Sequence, residues 1–201
     1  MINRTVVRAA NAISIIAATL VFTACGGGSS YKTSPTATSA PATAAAPASP
    51  APSTLTLTSD AFANNATIPV TYSCNGGGTS PSLAWSGAPA GTKAFALIVH
   101  DPDAPLPGGF THWIVVDLPA SASSLRAAVP AGDAIAGGGT QVTAYRGMCP
   151  PPGAAAHHYH FRLYALDAQA GAAPGTSKTD VEAAMQGHIL AETGLVGLFS
   201  R

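Results

Sequence analysis

Charged residues are scarce in this chain. Asp, Glu, Lys and Arg make up 9% of the 201 residues, and nine basic and nine acidic side chains leave a formal net charge of zero. A protein that binds nucleic acid needs a basic surface to neutralise phosphates, so the composition argues against that class of function. Near-neutrality also excludes long-range electrostatic steering of a ligand as a main device.

The sequence also lacks the motifs of several enzyme and metal-binding classes. It contains no Gly-x-Ser-x-Gly motif, and no pattern joins a serine to a histidine and an acid, so a catalytic serine has no support. His158 and His160 could offer two imidazole ligands from one face of a strand, but nothing specifies the third protein ligand that a zinc site needs. We therefore predict no catalytic residues, no metal and no cofactor.

The N-terminus has the pattern of an export signal. Arg4 and Arg8 precede a mainly apolar run over residues 9–24, which is short for a membrane-spanning helix of about 20 apolar residues. The run ends Phe-Thr-Ala-Cys-Gly, which resembles a lipobox, the motif in which a lipid is attached to the cysteine, here Cys25. We predict a signal peptide over residues 1–24 and an exported, membrane-anchored lipoprotein that faces the periplasm or the cell exterior. The alternative is an ordinary cleaved signal with a cysteine nearby.

Cysteine is rare, with three in the chain. If Cys25 carries the lipid, Cys74 and Cys149 remain, and an oxidising compartment would allow them to form a disulfide. The alternative is a pair of buried free thiols in a reduced protein.

After the lipobox-like motif comes a low-complexity stretch rich in Gly, Ser, Thr, Ala and Pro. Such a stretch cannot bury enough apolar surface to compensate for its ordering entropy. We therefore predict a lipidated Cys25 and a disordered tether over residues 25–53, followed by one folded domain over residues 54–201. A domain of about 150 residues buries roughly two-thirds of the surface of its unfolded chain, which is enough for a core.

Short apolar runs separated by turn residues fill the predicted domain. The strand candidates are residues 55–58, 68–72, 94–99, 112–118 and 159–166. Several short strands of this kind predict a mainly β, sandwich-like fold, and the proline in residues 68–72 favours an edge strand. One helix is expected over residues 179–192, capped by Thr179 or Asp180 and ended by Gly194.

Three polar clusters lie next to predicted strands. The first is Asp-Pro-Asp-Ala-Pro at residues 101–105, the second is Gly-Gly-Phe-Thr-His-Trp at residues 108–113, and the third extends over residues 145–161. Two prolines restrict the backbone of the first cluster, so a rigid turn with solvated acids is the alternative to a site there. For the second cluster the alternative is a structural histidine.

Strand alternation separates the histidines of the third cluster. Successive residues of a strand point to opposite faces, so His157 and Tyr159 share a face with the apolar residues that follow. His158 and His160 share the other face with Arg162. We therefore expect His157 and Tyr159 to point into the core, and His158 and His160 to face water.

Four motifs occur in a particular order: Asp-Pro-Asp-Ala-Pro (101–105), His-Trp before an apolar strand (112–113), Cys-Pro-Pro-x-Gly (149–153) and His-x-Tyr (157–159). This ordered set resembles the phosphatidylethanolamine-binding protein (PEBP) family, in particular its bacterial and archaeal Raf-kinase-inhibitor-like branch. Residues 79–85 and 89–93 agree further, and the resemblance covers residues 55–201. It implies an antiparallel β-sheet sandwich with short helices and a pocket at one end.

In the family that the chain resembles, the pocket accepts phosphate-like anions. The ligand-binding positions that the resemblance implies are Asp101, Pro105, His112, Gly147, Pro150, His157 and Tyr159. Histidine and tyrosine side chains can donate hydrogen bonds to an anion, Gly147 would let the backbone approach the ligand, and Asp101 would orient a histidine. The chain departs from the family at Met148, where proline is common, and in residues 131–144, which lack an expected Asn-and-aromatic pattern.

We interpret the chain as a non-enzymatic, lipid-anchored binding module for a phosphate-like anion or a phospholipid head group. The family also allows a protein partner. The alternative is a phosphoester hydrolase or phosphate-transfer enzyme in which His112 or His157 acts as base or nucleophile and Asp101 orients it.

Overall fold

The computed structural model of the protein describes residues 54–132 and 134–201. The predicted signal peptide at residues 1–24 and the predicted tether at residues 25–53, which includes Cys25, lie outside the described residues. No helix within the described ranges is long and apolar enough to cross a membrane.

The described part of the chain is mainly β-structure, as the sequence predicted. In chain order its elements are β1 (Thr56–Thr58), β2 (Ala66–Thr67), β3 (Leu83–Ser86), β4 (Ala94–Asp101), β5 (Phe110–Pro119), β6 (Ser124–Leu125), β7 (Thr140–Thr143), β8 (His157–Leu166), α1 (Lys178–Met185) and β9 (Ile189–Phe199). Six strands form one sheet in the order β2-β9-β8-β4-β5-β7, and three form a second sheet in the order β1-β3-β6. All neighbours are antiparallel except β2 and β9, which are parallel.

Both faces of the larger sheet are covered. On one face, alternate residues of β4, β5 and β8 pack against the small sheet in a core that includes Trp85, Phe95 and Phe161. On the other face, the residues between them pack with Val181 and Met185 of α1 in a second, smaller core. Because β4 lies in the middle of the sheet with both faces buried, its sequence is an almost continuous apolar run rather than an alternating one.

The predicted helix begins almost where expected but ends early. It covers Lys178–Met185, and the Ser177 hydroxyl oxygen caps it by accepting from the Asp180 amide, so the predicted caps Thr179 and Asp180 were wrong. Gly187, with φ +80°, turns the chain, and β9 starts at residue 189. Gly194 lies within β9 rather than after a helix. Helical spacing of the residues around 188 misled the prediction because pairing with β8 decides their conformation.

Residues 68–72 are not the predicted strand. Pairing with the sheet edge involves Ala66–Thr67 of β2, and the Ile68 amide adds one more hydrogen bond to Leu198 at 2.7 Å. After Pro69 the chain forms a 3-10 turn over Val70–Tyr72. The expected edge position was correct, but the chain turns away at the proline, which has no amide hydrogen with which to extend the pairing.

Candidate functional site

A cavity of about 440 Å³ lies at one end of the main sheet. It is bounded by the end of β4, the start of β5, the segment before β8 and the first residue of β8. The lining side chains and backbone belong to Asp101, Ala104, Pro105, Leu106, Phe110, His112, Arg146, Gly147, Cys149, Pro151 and His157. All three polar clusters of the sequence therefore meet here, because the antiparallel order brings the end of β4 beside the starts of β5 and β8.

Asp101 and His157 form a buried pair. The His157 Nδ1–H donates to Asp101 Oδ2 at 2.8 Å, and the two side chains are only 9% and 4% exposed. The other carboxylate oxygen of Asp101 accepts from the amides of Asp103 and Ala104 at 2.9 and 3.1 Å. A buried carboxylate needs such partners. Asp101 therefore shapes the loop at residues 101–105 and orients the imidazole, which leaves Nε2 of His157 for a ligand.

His112 is held in the same tautomer by a different acceptor. Its Nδ1–H donates to the Arg146 carbonyl at 2.8 Å, and the Arg146 amide donates back to the His112 carbonyl at 2.8 Å. Burial lowers the pKa of His112 below its ordinary value of 6.5, with a smaller opposing contribution from the hydrogen bond to Arg146. Since a carbonyl only accepts, Nδ1 carries the hydrogen, and Nε2 of the neutral ring presents a lone pair.

Tyr159 lies against both histidine rings rather than in the cavity wall. Its ring centroid is 5.2 Å from that of His112 and 6.4 Å from that of His157. The Tyr159 side chain is fully buried, and its hydroxyl makes no hydrogen bond to the described residues. Burial and then the nearby Asp101 raise the pKa of Tyr159 well above its ordinary value. The phenol therefore remains protonated and is an unused donor next to the two histidines.

The cavity lining includes five of the seven predicted ligand-binding residues: Asp101, Pro105, His112, Gly147 and His157. Tyr159 packs against the two histidine rings without lining the cavity. Pro150 is buried and its carbonyl accepts from Arg201 Nε at 3.0 Å, while its neighbour Pro151 lines the cavity. Strand alternation was correct for the neighbouring histidines, since His158 is exposed and His160 is partly exposed.

Gly147 is constrained mainly by the protein itself. A Cβ at this position would lie 2.7 Å from the Ser73 carbonyl carbon and 2.9 Å from the Cys74 nitrogen. The sequence interpretation explained this glycine by close approach of a ligand, but the close approach in the structure is that of the neighbouring chain. Glycine is required here because any side chain would clash with that backbone.

A disulfide joins the chain segments that cross at this point. Cys74 and Cys149 are bonded, with Cα atoms 5.4 Å apart, and the Cys74 amide donates to the Met148 carbonyl at 3.0 Å. Cys149 lines the cavity, so the bridge braces one of its walls. Met148, the departure from the family pattern, is fully buried and accepts from the Tyr145 hydroxyl through sulfur, so its side chain faces away from the cavity.

Several lining residues were not among the predicted site residues, and Arg146 and Phe110 matter most among them. The Arg146 guanidinium lies 6.0 Å from the centre of the Phe110 ring and supplies the cavity with a permanent positive charge. Phe110 packs edge-on against His112 at 4.8 Å. Strand alternation could have predicted Phe110, because it precedes His112 by two residues on one strand and so shares its face. Arg146 could not be predicted in this way, because its position depends on hydrogen bonds to His112, 34 positions away.

The site carries hydrogen-bonding groups without a metal-binding constellation. Within residues 54–132 and 134–201, no group of three His, Cys, Asp or Glu side chains could hold a metal ion. The cavity mouth is apolar, with Pro105, Leu106, Phe110 and Pro151. Such a site suits a ligand that presents a small polar group to the histidines and an apolar portion to the rim.

Comparison with known proteins gives a consistent assignment. Residues 58–200 match the family model described as phosphatidylethanolamine-binding protein. A UPF0098 protein of Methanothermobacter thermautotrophicus is 42% identical over 153 residues, which cover 73% of this chain and 99% of that protein. The putative lipoprotein LppC of Mycobacterium tuberculosis is 38% identical over 177 residues, which cover 87% of this chain and 86% of LppC.

A solved structure supports the same assignment at the level of the fold. The crystal structure of Escherichia coli YbcL, described as a new member of the mammalian PEBP family, matches with a TM-score of 0.67 and 30% sequence identity. The match covers 73% of this chain and 98% of YbcL. The resemblance identified from the ordered motifs is therefore confirmed, and the chain belongs to the phosphatidylethanolamine-binding protein family.

Proposed function

We propose that this protein is a lipid-anchored, extracytoplasmic binding protein whose cavity holds a phosphate-like anion or a phosphorylated head group. The observation that carries the proposal is the arrangement of His112 and His157 in one cavity, each with Nδ1 bound to a protein acceptor at 2.8 Å. Both rings are thereby oriented, and each offers Nε2 to a ligand. The buried Tyr159 ring packs against both histidine rings and helps to hold them in place.

Anion binding at such a site is coupled to a proton. With Nδ1–H already donated, a neutral ring offers only a lone pair at Nε2, which repels an anion. A bound anion therefore requires either that a histidine takes up a proton or that the ligand carries one. The resulting charge-assisted hydrogen bonds are stronger than those between neutral groups, and Arg146 adds positive charge to the cavity lining.

The apolar mouth supports an organic phosphate over inorganic phosphate as the ligand. Leu106 is 53% exposed, which is unusual for a large apolar side chain, and it lies beside Phe110 and Pro151 at the cavity. Burial of an alkyl group against this rim would add about 25 cal/mol for each Å² of apolar surface removed from water. A phosphorylated head group with an attached alkyl portion should therefore bind more tightly than inorganic phosphate.

Binding is tested by isothermal titration calorimetry with sulfate, inorganic phosphate and a water-soluble short-chain phosphatidylethanolamine. The proposal expects saturable binding that weakens in His112→Ala and His157→Ala. His158→Ala is the matched control, because it removes an adjacent histidine from the exposed face. Absence of saturable binding for all three ligands would contradict the proposal.

The anchor part of the proposal rests on the lipobox-like motif and on the relative named as a lipoprotein. The similarity to LppC covers 87% of this chain. The predicted domain at residues 54–201 makes up a smaller share, so the similarity extends beyond that domain. Wild-type protein expressed in bacteria should fractionate with membranes and begin at an acylated Cys25, as shown by mass spectrometry. Cys25→Ala should abolish lipid attachment, whereas Ser29→Ala should retain it. An unmodified Cys25 in wild-type protein without membrane association would refute the anchor.

A hydrolase or phosphate-transfer enzyme is the second candidate, and the Asp101–His157 pair is the observation that favours it. A carboxylate that orients an imidazole through Nδ1 is the arrangement used by general bases and histidine nucleophiles. Turnover of a panel of phosphoesters that is lost in His112→Ala or His157→Ala would favour this candidate. Saturable binding of the same compounds without turnover would favour the binding protein.

A further inference from the structure

A second cavity, of about 360 Å³, lies on the other face of the main sheet. Its lining includes Ile98, His100, His160, Arg162, Lys178 and Glu182. His160 and Arg162 alternate along β8 with Tyr159 and Phe161, which point into the opposite core. The main sheet therefore separates this cavity from the site described above, and a ligand here is independent of the proposed function.

The register of the sheet places four of these side chains in a square. His100 on β4 is the register partner of His160 on β8, and Ile98 is the partner of Arg162. Partners on neighbouring strands have Cβ atoms about 5 Å apart, so His160 lies beside His100 and Arg162 lies beside Ile98. The helix α1 contributes Lys178 and Glu182 from above, which gives the cavity a third wall.

The charges of this lining are not balanced. Lys178 pairs with Glu182, Nζ to Oε1 at 2.8 Å, and Glu182 is the acidic residue of the lining. Arg162 makes no ion pair with any described residue. Burial lowers the pKa of His160, and the charge of Arg162 lowers it further, so a neutral ring lies beside the unpaired guanidinium. An anion at this position would pair with Arg162.

The surroundings of Arg162 leave room for a ligand. Its register partner on β9 is Gly194, so that position of β9 contributes no side chain beside Arg162. Glu192 lines an adjoining cavity on that side but forms no ion pair with Arg162. His100 is held to β5 through its Nδ1 and Thr111 Oγ1 at 3.2 Å and forms a wall of the cavity. Among the described residues, His160 and Arg162 have no ion-pair partner, and Lys178, which pairs with Glu182, lines the same cavity.

We propose that this second cavity binds a tetrahedral oxyanion group, phosphate or sulfate, between His160, Arg162 and Lys178. A guanidinium matches two oxygens of such a group in a bidentate contact, and the ammonium adds a point charge. The cavity is larger than a single oxyanion, and buried Ile98 forms an apolar part of its lining. A small organic phosphate therefore fits the site better than the free ion.

The experiment is an NMR titration of the full chain with sulfate, glycerol 3-phosphate and acetate, monitored at the amides of His160, Arg162 and Lys178. We expect saturable shifts with both tetrahedral anions, tighter saturation with glycerol 3-phosphate, and little response to acetate. Arg162→Gln should weaken this binding by about tenfold or more. Arg126→Gln is the matched control, because it removes the charge of another exposed arginine that lies outside this cavity.

The two sites can be tested separately. His157→Ala should leave the shifts at His160 and Arg162 unchanged, and Arg162→Gln should leave those at Gly147 and His157 unchanged. Equal affinity for sulfate and glycerol 3-phosphate would still support the site and assign the free oxyanion. Shifts that rise linearly without saturation, or that weaken equally in Arg126→Gln, would show general ion screening and overturn the proposal.

Discussion

Two histidine–aspartate pairs of nearly identical geometry make the sharpest test of the candidate site. His157 bonds to Asp101 and His158 bonds to Asp103, both through Nδ1 at 2.8 Å. In the first pair the histidine side chain is 9% exposed and the aspartate 4%. In the second pair the histidine is 53% exposed and the aspartate 41%. Both variants replace histidine by alanine. Any difference between them in stability or binding therefore reflects the different burial and position of the two pairs.

The expected loss of stability differs between the two variants. His157→Ala removes the hydrogen-bond donor of a buried carboxylate oxygen, and leaving a buried acceptor unpaired costs about 1–3 kcal/mol, or more for a charged group. His158→Ala removes an exposed pair, which contributes about 0–1 kcal/mol. Urea unfolding of both variants at pH 7.5 measures the difference. Equal free energies of unfolding would show that the Asp101–His157 bond has no structural role.

The expected loss of binding follows the same contrast. If Nε2 of His157 contacts the anion, its loss should weaken sulfate binding in the cavity by about 1–3 kcal/mol, or about fivefold to 150-fold. His158→Ala should leave that affinity unchanged, because its side chain lies on the other face. Because His157→Ala is also destabilising, His157→Gln serves as a second variant whose amide can still donate to Asp101.

NMR shifts at Gly147 and His112 report binding in this cavity separately from the second site. If His158→Ala weakened these shifts while His157→Ala and His157→Gln did not, the alternation argument and the family assignment of site residues would both be refuted.

Three further predictions concern pH, charge and the disulfide. Because burial keeps the pKa of His112 below 6.5, the unliganded domain should lose stability as pH falls below about 6.5. Sulfate binding in the cavity should tighten from pH 7.5 to about 6, and this pH dependence should be smaller in His112→Gln. No change in sulfate affinity over that range would contradict proton uptake. Arg146→Gln should weaken sulfate binding about two- to fivefold by calorimetry, with Arg126→Gln unchanged. Loss of the Cys74–Cys149 disulfide, which spans 75 residues, should lower the free energy of unfolding by about 4 kcal/mol at most. Two thiols that label freely without reductant, in protein made in an oxidising compartment, would contradict that bond.

Local sequence was sufficient wherever the physical cause was local. Alternation along β8 correctly separated buried His157 and Tyr159 from exposed His158, because successive strand residues point to opposite faces whatever their neighbours are. The apolar run at residues 94–99 predicted a strand, and it became β4, which is buried on both faces in the middle of the sheet. The ordered motifs predicted the family, and five of the seven site residues that the resemblance implied line the cavity.

Predictions failed where pairing between distant segments decided the conformation. The chain after Met185 has helical spacing, yet it turns at Gly187 and forms β9, because β8 offers it a full row of hydrogen-bonding partners. Alternating burial is weak in the first half of β9, so the sequence carried little signal for a strand there. Gly194 was assigned to a helix end for the same reason and instead lies opposite Arg162.

By itself, the sequence determined that this protein is mainly β-structure and which residues of β8 face the core. It also determined which two cysteines remain to pair and the set of motifs that place the chain in its family. The tertiary structure decided which of these residues meet. Asp101 and His157 are 56 positions apart, and only the antiparallel register of β4 and β8 brings them to 2.8 Å. The same register, with α1 packed above it, creates the second cavity, which no single segment encodes because its polar side chains come from two strands and a helix.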